Sequence, residues 1–165
     1  MSLGQRVTTD HQLARLLQIG VVLEEVVEAR ADRHLAELDP EERAALDDEI
    51  EAMLADAVEE SAEHRDRLAA LVDDLDAEAT GFEEIEALVE ERYTAPGDTD
   101  GVLYDQLCNE ETAYKFYDDF IAAIEDSETE FSVDREHVLA TLREIREEEA
   151  EGVEEVAEIM EGREE

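Results

Sequence analysis

Apolar residues along this chain recur at intervals of three and four, the spacing that gathers side chains on one face of an α-helix, and no stretch alternates as a half-buried strand does. Four long stretches carry the pattern. Wound at about 100° per residue, the first puts Leu13, Leu16, Gly20, Leu23, Val27, Ala31 and Leu38 on one face, and the second does the same with Ile50, Met53, Leu54, Ala57, Leu68, Leu71, Val72 and Leu75. Leu103, Leu107, Tyr114, Tyr117, Phe120, Ile121 and Ile124 form the third face, and Val138, Leu142, Ile145, Val153, Val156 and Met160 the fourth. Breakers set the limits. Helices are predicted over residues 9–38, from Asp47 or Asp48 to Ala77, over 100–126 and over 132–160, with GREE as a frayed tail. Asp39-Pro40 reads as an N-cap followed by proline in the first turn of a short helical piece, EERAAL. Between the second and third long helices lie Thr80 as a cap, the amphipathic segment GFEEIEALVEERY and the loop TAPGDTDG, too much chain for a hairpin. The prediction is one all-α domain over residues 1–165.

Each face carries an ionisable residue near its centre: Glu24, His64, Glu110 and Glu149. Ser61 shares the second face with His64, Glu60 sits on its shoulder, and Gly152 lies one turn beyond Glu149. An unpaired carboxylate moved out of water costs several kcal/mol or more, so three of them pointing into one bundle require a neutralising partner. The candidates are a metal ion, or Arg146, which winds toward the same face, aided by the hydroxyls of Tyr114 or Tyr117. His34 also falls on the apolar face of its helix and is read as a helix-end residue near the C-terminal dipole.

Composition narrows the partners. Thirteen Lys plus Arg stand against 51 Asp plus Glu, a formal net charge of -38 with a pI near 4.1. A polyanionic nucleic acid needs clustered cations that such a surface lacks, and anionic membranes are disfavoured for the same reason. Lys115 is the only lysine. Acid excess with lysine almost absent is the composition expected of a halophilic cytoplasm holding molar salt, where the Debye length falls to about 3 Å and self-repulsion is screened. The N-terminus has no apolar run behind a basic flank, so the expected location is cytoplasmic. Cys108, the single cysteine, winds to the polar side of its helix and leaves no cysteine-pair metal site within one chain.

Short link, long crossover and short link between four long helices give an antiparallel pair, a traverse and a second antiparallel pair. In that connectivity, and in the segments EESAEHRDRL, NEETAYKFYDDFI and REEEAEGVEEV, the chain resembles the ferritin and rubrerythrin superfamily over nearly its whole length. The resemblance implies a ferritin-like four-helix bundle whose crossover contains a short extra helix. It also implies one Glu on each of two helices and Glu-x-x-His on the other two, ligating iron or manganese, one or two ions. Glu24 and Glu110 match the single carboxylates. Ser61-Ala62-Glu63-His64 keeps the histidine and lacks the carboxylate, for which Glu60 could substitute; Glu149-Ala150-Glu151-Gly152 keeps the carboxylate and lacks the histidine. Tyr117 and Arg146 would stand just behind the ligands. The implied activity is oxidation of Fe(II) by dioxygen or peroxide, for iron handling or peroxide defence, in a homodimer served by an external electron donor. The alternative is a degenerate scaffold of the same fold, marked by Arg146 filling the space at Gly152 and acting through protein contacts. Ligands on an antiparallel pair lie equally far from the turn. Glu110 and Glu149 meet this condition about Glu130, whereas Glu24 and Ser61 require a reversal near Glu42.

Overall fold

A computed structural model of the chain describes residues 7–38, 40–44, 48–75 and 99–164. These residues form α1 (Asp10–Glu37), α2 (Pro40–Ala44), α3 (Asp48–Asp74), α4 (Thr99–Glu125) and α5 (Arg135–Glu164), with no strand among them. The Thr80 cap, the amphipathic segment 81–93 and the first part of the predicted loop lie outside the described residues; its last three residues already belong to α4.

Local chemistry explains the ends. Thr9 caps α1 by accepting from the Gln12 backbone at 3.1 Å, and the Gln12 side chain reaches back to the Thr8 amide at 2.8 Å, a variant of the reciprocal capping pair. Asp134 begins α5: its carboxylate accepts from the Glu136 amide at 3.1 Å, and its carbonyl accepts from the amides of His137 and Val138. Arg135 turns back to donate to the terminal α4 carbonyls of Ile124, which also accepts from the Ser127 amide at 3.0 Å, and Glu125. The link is therefore residues 126–134, longer than the 127–131 turn expected from sequence, because Asp134 rather than Phe131 supplies the cap. At the far end the helix continues through Gly162 and Arg163 to Glu164, so these residues are helical and not a frayed tail.

α1 packs on α3 and α4 on α5, and the two pairs meet along α1 with α4 and α3 with α5. Direction follows from partners whose numbers run oppositely. Glu28 meets Arg65 while Gly20 meets Leu68, and Asp118 meets Arg146 while Glu125 meets Arg143. α1 with α3 and α4 with α5 are thus antiparallel. The reversal after α1 contains α2, and Thr99 at the start of α4 donates to Glu42 of α2 at 2.6 Å.

The inward stripes keep strict three-four spacing, and each is interrupted by polar side chains at one level. Leu13, Leu17, Gly20, Glu24, Val27 and Ala31 make the α1 stripe; Ala57, Ser61, His64 and Leu68 that of α3. On α4 the run is Leu103, Gln106, Glu110, Ala113, Tyr117, and on α5 Leu142, Ile145, Glu149, Gly152, Val156. Consequently the apolar interior is two cores. The larger joins Leu17, Leu68, Phe120 and Leu142, the smaller Leu54, Leu103, Val156 and Ile159, and the polar layer lies between them along the bundle. Tyr114, placed on the apolar stripe of the third helix by its spacing, is 39% exposed; Tyr117 takes the inward position.

Candidate metal centre

The layer between the cores draws one or more side chains from each long helix. Glu24 and His64 are fully buried, Glu149 is 3% exposed and Glu110 7%. Glu24, Glu149 and the Nδ1 edge of His64 converge: Nδ1 lies 3.1 Å from Glu149 Oε1 and 3.4 Å from Glu24 Oε1. One ligand atom from each of the three falls within 4.8 Å of the other two. The opposite edge of the ring faces a second carboxylate pair, with Nε2 2.5 Å from Glu148 Oε2 and 3.8 Å from Glu60 Oε1.

Carboxylate oxygens on both edges of the ring favour its doubly protonated form. Burial alone would lower the His64 pKa. The hydrogen bond and charge of Glu24, followed by Glu148 and Glu60, outweigh it and raise the value to about 9. Burial, with hydrogen bonds and charge from Glu110 and Glu24, raises the Glu149 carboxyl well above the usual carboxylate range. Glu60 rises to about 7, chiefly through burial, against the pull of His64 and with the push of Glu110, Glu148 and Glu24. Burial and the adjoining Glu24 carboxylate likewise raise the Tyr117 phenol, whose hydroxyl donates to Glu24 Oε1 at 2.6 Å.

Glu110 occupies a hollow that exists because α5 has no side chain at Gly152. A Cβ built there would lie 2.8 Å from Glu110 Oε2 and 2.9 Å from its Cδ. The carboxylate is held from its own helix by Gln106 Nε2, which donates to Oε1 at 3.0 Å. The position where the resemblance would put a histidine is therefore filled by Glu110, and not by Arg146. Arg146 does not reach the buried carboxylates; its Nη1 donates to Asp118 at 2.9 Å on the outer α4–α5 seam. The internal cation of the layer is the His64 imidazolium. His34 lies in the last turn of α1, as expected, but it is fully buried and its Nε2 is 2.7 Å from Asp105 on α4; burial lowers its pKa in spite of Asp105, so the contact is a cross-helix hydrogen bond.

Of the five expected ligands, Glu24, His64 and Glu149 share one cluster, Glu60 stands on the other side of the ring, and Glu110 flanks Glu149 from the Gly152 hollow. Two contributors escaped the sequence reading. Gln106 sits in the three-four stripe between Leu103 and Glu110, so periodicity could have found it. Glu148 gave no such signal, because it lies among consecutive acids and acquires its role only through the approach of α3 to α5.

Two carboxylates and an imidazole suit a divalent first-row transition ion. The donor set was tested by whether the protein satisfies it unaided, and it does not: Glu24 Oε2 is buried with no hydrogen-bond partner. A buried carboxylate oxygen left bare is costly unless a cation or water meets it. Among the described residues, no helix is long and apolar enough to cross a membrane. No family model matches the chain, and neither does any curated protein or solved structure.

Proposed function

We propose that this chain is a ferritin-like, metal-binding helical bundle that holds one divalent transition ion between Glu24, Glu149 and Nδ1 of His64. The observation that carries the proposal is the bare, buried Oε2 of Glu24, a residue clustered with Glu149 and His64. Iron or manganese held there would supply one-electron chemistry toward dioxygen or peroxide, which is why the role is read as iron handling or peroxide defence, with an external electron donor and a homodimeric assembly as parts of the same reading. Each residue has a definable task. Tyr117 fixes Glu24 by its hydrogen bond to Oε1, and the cores above and below the layer exclude bulk water. Glu149 and His64 must each release a proton to become ligands, so binding is coupled to proton loss. Glu110, steadied by Gln106, lies within hydrogen-bonding reach of Glu149 and orients its carboxyl.

A second reading, a scaffold without a working metal site, is favoured by the fact that His64 already serves as counter-charge on both edges. Such a polar layer would fix helix register, as buried polar groups do in some bundles. Metal content separates the two. Protein purified in molar KCl without chelator, and then titrated with Fe(II) under argon, is expected to carry close to one ion per chain, lost in Glu149→Ala and His64→Ala. A folded, metal-free protein that ignores Fe(II) would leave only the scaffold.

A further inference from the structure

The inner triad has almost no exposure of its own, so an ion must reach it between helices. Each of the four seams around the layer presents an arginine. Arg65 pairs with Glu28 across α1–α3, and Arg146 with Asp118 across α4–α5. The α1–α4 seam holds an apolar groove of about 300 Å³, lined by Val22, Leu23 and Val26 and bounded by Arg30, whose Nη1 donates to Asn109 at 2.9 Å. Neither apolar walls nor a guanidinium draws a cation inward.

The α3–α5 seam differs. Here His64 forms the wall between inner and outer carboxylates, and the outer pair, Glu60 and Glu148, is 36% and 38% exposed. One ligand atom each from Glu60, His64 and Glu148 lies within 4.8 Å of the others, the same spread as in the inner triad. Glu60 Oε1 is buried without a hydrogen-bond partner. Arg67 pairs with Glu144 across this seam as well, and its Nη1 is 3.7 Å from Glu148, so the seam is set apart by the half-exposed carboxylates against His64 and not by lack of a cation.

Resting on the reading of the inner triad as a metal site, we propose that Glu60 and Glu148 form an outer, transient cation site from which the ion passes to Glu24 and Glu149, with His64 as the ligand shared at the handover. The outer site meets water and is bounded by two carboxylates that can release the ion; the inner site is closed. A residue on the path governs how fast the ion enters and leaves, while the depth of the inner site is set elsewhere.

Rapid mixing of the full chain with Co(II) in molar KCl, followed by its visible absorption bands, tests this, with EDTA stripping read in the same way. Glu148→Gln, and Glu60→Gln with Glu148→Gln, should slow loading by about tenfold or more, the low end of what local charge focusing supplies. Stripping should slow in proportion. Glu63→Gln removes the same charge from the exposed side of α3 and should change neither rate. Loading of the Glu148 variant at the wild-type rate overturns the proposal. So does slow loading with accelerated stripping, which would make Glu148 a ligand of the resting site, or equal slowing by Glu63→Gln, which would reduce the effect to general surface charge. Wild-type protein that develops no Co(II) bands removes instead the inner-site reading beneath the proposal.

Discussion

Replacing Gly152 with alanine puts a methyl group where Glu110 now lies, 2.8 Å from Oε2, 2.9 Å from Cδ and 3.3 Å from Oε1. Two effects oppose each other. Alanine is favoured over glycine in a helix interior by about 1 kcal/mol, and Gly152 is well inside α5. Against this, the Glu110 carboxylate must swing out of its hollow and abandon Gln106. Leaving that buried amide unsatisfied costs about 1–3 kcal/mol, and crowding a packed site adds a comparable penalty of roughly 1–3 kcal/mol where relaxation is incomplete. The single substitution should therefore destabilise the metal-free protein by about 1–5 kcal/mol. In a Glu110→Ala background there is no carboxylate to displace, and the same change should stabilise by about 1 kcal/mol. The cycle thus predicts a coupling of about 2–6 kcal/mol, well outside the roughly 0.3–0.5 kcal/mol by which independent sites fail to add. Urea unfolding of the four proteins, followed by far-ultraviolet circular dichroism in molar KCl with chelator, measures it. Equal stabilisation by Gly152→Ala in both backgrounds would show that Glu110 does not fill the Gly152 hollow.

Other consequences follow from the same layer. Tyr117→Phe removes the donor to Glu24 Oε1 from a buried site and should cost about 1–3 kcal/mol in the metal-free protein; an unfolding midpoint equal to wild type would rule out that bond. The pH dependence has a definite sign. His64, raised from 6.5 to about 9, contributes stability that is complete below pH 6.5 and lost as pH rises through 9, an effect on the order of 3 kcal/mol. Glu149 and Glu60 act in the same direction, because the folded state favours their protonated forms, and the Glu60 contribution fades as pH rises from 4.5 through about 7. Metal-free wild type in molar KCl should accordingly lose Tm between pH 6.5 and 9, and His64→Gln should lose much less; parallel curves would contradict the assignment. Finally, a net charge of -38 implies that dilution from molar to about 0.05 M salt lowers Tm as screening is withdrawn. A Tm independent of KCl would remove the salt-adapted reading of the surface.

Periodicity alone located the four long helices and put Glu24, His64, Glu110 and Glu149 on their apolar faces, because a helix stripe is a local property of spacing. It erred where orientation depends on a neighbour. Arg146 winds toward the layer on an isolated helix, yet its long side chain is drawn to Asp118 across the α4–α5 seam. Tyr114 and Tyr117 are three apart and nearly equivalent by winding; only packing against α1, where Glu24 accepts a hydrogen bond, chooses Tyr117. Gly152 looked like a lost ligand. Its meaning as space for Glu110 requires the approach of α4, and no feature of α5 alone encodes it. Glu148 was hidden for a similar reason, one acid in a run of acids until α3 brings His64 against it. The α5 terminus shows the limit of composition: Gly162, Arg163 and Glu164 read as frayed tail, and the helix simply continues through them.

The central claim is that Glu24, His64 and Glu149 bind a metal ion rather than merely neutralise one another. Electron paramagnetic resonance of Mn(II) titrated anaerobically into chelator-stripped protein at pH 8 in molar KCl tests it directly, because the sharp six-line signal of free Mn(II) is lost on binding. The account predicts loss of that signal up to about one equivalent per chain, abolished in both Glu24→Gln and Glu149→Gln while circular dichroism shows the fold retained. A full free-ion signal from the first addition to wild type, or unchanged uptake in the two variants, would contradict it.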